Sequence, residues 1–172
     1  MNKYLVPFIL LCFATILSAC QSPYSKSADL HGFVIDRSEQ SLFVVSKHAK
    51  DFSEHGGVSD FYDAIYLDNA PGDVEIGDEV NVWFKGGVDD SYPSRGVVGK
   101  MEVLTTANIE RANRSQKEAV QDALQQIHVD NFVAITDVQF SEERNLWTVT
   151  YKPIKYFETE PTPLKTIEIE DS

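Results

Sequence analysis

With 27 acidic against 15 basic residues in 172, the chain carries a formal charge of −12, and no Lys/Arg cluster interrupts that acidity. Nucleic-acid binders concentrate basic side chains on one face, so the composition excludes a nucleic-acid partner and disfavours attraction to anionic head groups. The two cysteines, Cys12 and Cys20, both fall in the first 20 residues, leaving the rest without a Cys nucleophile, a CxxC redox pair or a Cys-ligated metal.

The N-terminus reads as an export signal. Asn2 and Lys3 precede an apolar run over residues 4–16, broken only by Pro7 and Thr15, and Leu17-Ser18-Ala19-Cys20 follows at once. A positive start, an apolar stretch and small residues before a cut describe a secretory signal. The run is short against the roughly 20 apolar residues of a spanning helix. Its last four residues resemble the bacterial lipobox at every position. That resemblance implies cleavage after residue 19 and acylation of the Cys20 sulfur, which would hold the chain at the extracytoplasmic face of a cell membrane. Two or three acyl chains anchor stably where one does not. Residues 20–27, with Pro23 and several serines, read as a tether. The remaining chain of about 150 residues is long enough to bury roughly 70% of its surface without covalent staples.

From residue 28 to 105 the pattern is β. Residues 30–36 and 41–47 are apolar, β-branched runs around a polar turn, which suits a hairpin. Residues 50–60 form a polar loop with Gly56-Gly57, and residues 62–67 a third strand. After a turn at 69–73, residues 78–85 alternate, with Val80, Val82 and Phe84 on one face and Asn81, Trp83 and Lys85 on the other. A second long loop precedes residues 96–104, which alternate again. Five short strands with Gly-rich turns predict a small antiparallel barrel or sandwich. Residues 106–172 change character. Ser115-Gln116-Lys117-Glu118 is a capping box, and Ala119, Val120, Ala123, Leu124 and Ile127 recur at helical spacing. Residues 132–140 and 146–152 predict a hairpin ended by Pro153, and 166–170 a last strand. The expected fold is a β-rich α+β chain: a small antiparallel barrel or sandwich, then a helix packed on a small antiparallel sheet.

Two resemblances bear on this reading. Gly32-Phe33-Val34, the stretch from Ile76-Gly77-Asp78 through Trp83, Ser91-Tyr92-Pro93 and Met101-Glu102-Val103 resemble a family of small lipoproteins from Bacillus-type bacteria, known as domain of unknown function 3221. The likeness implies an OB-like barrel on a lipoprotein and supplies no functional residues. Residues 115–151 look like half of a PepSY module, a small extracytoplasmic unit linked to protease regulation.

No catalytic motif emerges. Gly96 to Met101 lacks the spacing and the hydroxyl of a phosphate loop, and neither a Gly-x-Ser-x-Gly elbow nor a His-Glu-x-x-His helix is present. His48, Asp51, Glu54 and His55 share a loop without metal-ligand spacing, so neither metal nor cofactor is expected. The candidate contact surface is the barrel face around residues 62–67 and 78–85 with the loop 89–95. Its named residues are Trp83, on the outward face of its strand, with Asp89, Asp90, Tyr92 and Arg95 in the loop that follows. Adjacent carboxylates can also raise one another's pKa for acid/base work. The expected role is therefore a non-enzymatic binding module that meets a protein or wall-associated partner. The alternatives are a small cell-envelope hydrolase using loop carboxylates and a regulator of an exported protease.

Overall fold

The computed structural model describes residues 27–104, 109, 111–129, 131–154 and 162–172. The signal and most of the tether, Cys20 included, lie outside these residues.

The first five strands are β1 (Leu30–Arg37), β2 (Ser41–Ser46), β3 (Ala64–Asp68), β4 (Glu79–Phe84) and β5 (Ser94–Val103). They close into a barrel in the order β1-β2-β3-β5-β4, with β4 returning to β1. That is the small Greek-key barrel of OB type. One correction applies to the antiparallel expectation: β3 and β5 run parallel, with Ile65 opposite Ser94. The interior is filled by the alternating residues Leu30, Val34, Leu42, Val44, Ile65, Leu67, Val80, Val82 and Val98. Val74, from the loop between β3 and β4, joins that core, and the Arg37 guanidinium binds the Val74 carbonyl over it. Where β1 and β2 cross most closely, a Cβ on Gly32 would stand 2.0 Å from the Val45 carbonyl oxygen. Only glycine fits there.

The helix α1 (Gln116–Gln126) begins at the capping box, with the Ser115 hydroxyl accepting from the Glu118 amide and the Glu118 carboxylate accepting from the Ser115 amide. Its buried face, Ala119, Val120 and Ala123, packs on a three-stranded sheet of β6 (Phe132–Ser141), β7 (Leu146–Ile154) and β8 (Lys165–Glu170), in that order. Trp147 on β7 is the largest fully buried side chain of that core. The sequence placed the end of the second hairpin strand before Pro153, yet β7 continues through it to Ile154. Pairing with β8 stops before it, at Tyr151 and Lys165. Among the described residues Pro153 therefore falls where the strand is paired on one side only, by β6, and its missing N–H is tolerated.

The helix and second sheet cap the flank of the barrel. Phe33 and Ile35, on the outer face of β1, pack in the helix–sheet core. Phe43, Val45, Tyr62 and Ala64 form a third cluster with Phe132 and Ala134 of β6. Both faces of β1 and β2 are therefore covered, which explains their unbroken apolar runs. Polar pins lock the two parts together. Gln121 Nε2 donates to the Ile76 carbonyl at 2.8 Å, Lys117 pairs with Glu75 and Asp78, and Lys152 on β7 pairs with Asp60 before β3. Gly77, at φ 90°, lets α1 come so near that a Cβ would lie 2.7 Å from the Lys117 carbonyl oxygen.

Candidate functional site

Strand register builds a row of side chains across the outside of the barrel. Asp36 lies opposite Phe43, Phe43 opposite Tyr66, and Tyr66 opposite Arg95. The Phe43 and Tyr66 rings stack at 4.3 Å with 16° between their planes, and the Arg95 guanidinium sits 5.5 Å from the Tyr66 centroid. Guanidinium groups favour such faces because the ring quadrupole is negative there. Leu124, Ile127, Val129 and Phe132 stand over this floor and leave a groove of about 350 Å³. The lining holds one charged group, the Asp36 carboxylate, and the aromatic floor ends at Tyr66, with Arg95 beyond it. The groove lies on the outer side of β2 and β3, a face that OB barrels use for ligands.

The five residues expected to form one contact surface do not converge. Trp83 faces outward as its strand phase predicts, but it is not exposed: it is only 8% accessible, and Lys100 Nζ lies 4.4 Å from its ring centroid. The expectation of Trp83 on an exposed binding face is corrected accordingly. Asp89 serves its own loop. Its Oδ1 accepts from the Arg95 amide at 2.8 Å, the Ser91 hydroxyl at 2.8 Å and the Ser91 amide at 3.3 Å. Those bonds, the Arg95 amide first, hold its carboxyl below the ordinary aspartate range. A general acid needs the opposite shift. Asp90 is exposed beside it. Tyr92 leaves the loop to dock on the barrel flank, its hydroxyl donating to the Tyr62 carbonyl at 3.0 Å and its ring 6.0 Å from Phe132. Of the five, Arg95 alone lies over a ring of the groove floor, that of Tyr66, beside the groove lining.

A second concavity of about 460 Å³ opens where the barrel meets the start of α1, lined by Asp78, Glu79, Arg114, Gln116 and Lys117 among others. Glu79 is its hub. Its Oε1 takes His31 Nε2 and Lys47 Nζ, each at 2.8 Å, and its Oε2 takes Gln116 Nε2 at 2.8 Å. Burial pushes this carboxyl up, but the bonds from Lys47, Gln116 and His31 outweigh burial and hold it below the ordinary glutamate range. With both oxygens engaged by β1, by the end of β2 and by α1, the group is a latch between elements. The histidines do not gather: His48 leans on His31 at 5.5 Å, while His55 ends an exposed 3-10 turn. Among the described residues no group of three or more His, Cys, Asp or Glu is placed to hold a metal ion.

Residues 31–105 match the family model described as "Protein of unknown function (DUF3221)". The matched stretch begins on β1 and ends just beyond β5, so it is the barrel; the helix and second sheet lie outside it. No curated protein and no solved structure matches the chain. The groove is therefore composite: its floor belongs to the matched stretch and its wall to the part that follows. The sequence did not single out Phe43, Tyr66 or Glu79, although the last two lie in the strands 62–67 and 78–85 expected to border the contact surface. The signal available for the first two was apolar residues on both faces of a strand, which marks a covered flank.

Proposed function

We propose that this protein is an extracytoplasmic lipoprotein, held to a cell membrane through acylated Cys20, that binds a partner and does no chemistry on it. Its contact surface is the groove across β2 and β3. The observation that carries this reading is the Phe43–Tyr66 stack flooring an open groove of about 350 Å³, with Arg95 over the Tyr66 ring at its side. Aromatic and Arg side chains in partly dry surroundings are the usual anchors of binding surfaces. The barrel interior behind the row is packed with aliphatic side chains, so the platform is rigid. Support for the membrane tether comes from the lipobox-like Leu17-Ser18-Ala19-Cys20. The hydrolase alternative loses its main support, because the Asp89 carboxylate is engaged by its own loop.

Arg95 is exposed and Tyr66 half-buried, so Arg95→Glu and Tyr66→Ser are expected to fold. Each should lower cross-linked partner recovered from intact cells by at least about tenfold, the loss of one anchor worth over about 1.4 kcal/mol. Equal recovery by wild type and both variants would remove the groove from consideration.

A further inference from the structure

The two ends of the barrel differ in what they expose. The start of β1, the end of β2, the start of β3, the end of β4 and the start of β5 share one end, as the pairs Gly32–Ser46, Val45–Ala64 and Ile65–Ser94 require. The chain also arrives there: the Asp29 amide donates to the Val82 carbonyl at 2.9 Å, and Asp29 Oδ2 accepts from the Phe84 amide at 2.9 Å. The two long loops, residues 47–63 and 85–93, flank that point. Four of the seven large apolar side chains exposed among the described residues sit on these loops: Phe52 at 42%, Val58 at 51%, Val88 at 38% and Tyr92 at 36%. Ring contacts join the loops into one edge, Phe52 to Phe61 at 5.5 Å and Phe61 to Tyr92 at 5.2 Å.

We infer that this end is a lipid-contacting foot, whose loop tips rest in the interfacial layer of the membrane that carries the anchor. The inference rests on the acylation of Cys20. Cys20 and Ser27 are seven Cα steps apart, which span at most about 25 Å, so the anchor holds this end within reach of the bilayer. Exposed apolar groups mark contact sites, and contacts too weak to recruit a free protein suffice once a short linker sets a millimolar effective concentration. The charge here is largely spent internally. Lys50 pairs with Asp63 at 2.6 Å, Asp60 with Lys152, and Asp89 with its own loop. Glu54, Lys85 and Asp90 stay exposed on the same loops, so attraction is apolar, insensitive to salt on zwitterionic lipid, and weakened rather than strengthened by anionic lipid. Seated this way, the body presents the β2–β3 groove sideways and the loop between β3 and β4 outward.

The test uses the full chain, isolated from a lipoprotein-processing bacterium and reconstituted in phosphatidylcholine vesicles whose acyl chains carry bromine. Phe52→Cys, Val88→Cys and, at the far end, Asp73→Cys are each labelled with a fluorescent thiol reagent. The foot predicts bromine quenching at positions 52 and 88, none at 73, and no change in high salt. Labels at 52 and 88 that stay as bright as the one at 73, with Cys20 acylated, would overturn the foot and leave the anchor standing. Shielding of 52 and 88 in native membranes but not in pure lipid would assign the surface to a protein instead. A dye-reactive Cys20 in the parent chain would remove the anchor, and the foot with it.

Discussion

The interior of the barrel and the seam on its flank are both apolar, yet they are made of different side chains. Every fully covered interior residue is Val, Leu or Ile, whereas the seam is built on Phe43, Tyr62 and Phe132, with Ala64 and Ala134 between them. A closed five-stranded barrel has a fixed girth that branched aliphatics fill. A curved barrel against a flatter sheet leaves a wedge, wide where rings fit and narrow where only alanine does. The inside thus sets the shape, and the seam decides which outer surface remains for a partner.

That division is open to attack from both sides, because each part carries a buried reporter, Trp83 in the barrel and Trp147 in the sheet. In single-tryptophan versions, Phe132→Ala should lower stability by about 3–5 kcal/mol, the usual cost of removing a buried ring. It should also separate the urea transitions seen by the two reporters; coincident curves after such a loss would mean that the seam does not couple the parts. Leu67→Ala, fully inside the barrel, should cost about 2–5 kcal/mol. There Trp83 should respond first or together with Trp147, and a response confined to Trp147 would contradict the layout. At the helix start, Ser115→Ala removes half of the capping box and should cost about 1 kcal/mol, read as a lower urea midpoint. The smallest effect concerns pH. The Glu79 carboxyl is depressed in the folded protein, so its contribution is present above the ordinary glutamate pKa and is lost as pH falls through the depressed value. As pH falls from the ordinary glutamate range through the depressed one, wild type should lose more stability than Glu79→Gln; parallel losses would show that the latch to Lys47, Gln116 and His31 is energetically silent.

Local pattern carried much of the fold. The alternation of Val80, Val82 and Phe84 placed β4 in a barrel wall, and Ser115 to Glu118 marked the start of α1. Boundaries moved where pairing, which no local pattern encodes, decided them: β3 starts at Ala64, two residues late, and β5 at Ser94, two residues early. The candidate site was much less legible. Tyr66 and Arg95 meet only because β3 and β5 run parallel, and Phe43 arrives from a third strand. Trp83 was placed on the correct side of its strand, but strand phase does not reveal the Lys100 side chain lying over the ring. Asp89 and Asp90 look alike in sequence; only the closed geometry of their loop shows that one carboxylate is committed to backbone amides.

The last strand of the second sheet has a consequence for crowding. Among the described residues β8 is an edge, paired on one side only, and its residues Lys165, Glu168 and Glu170 are exposed along it. An unprotected edge invites a neighbouring copy to extend the sheet, and charged side chains there discourage it. Molecules confined to a plane collide far more often than molecules free in a volume, so under the proposed lipid anchor this short ionic fringe would oppose the stitching of neighbouring copies into fibres.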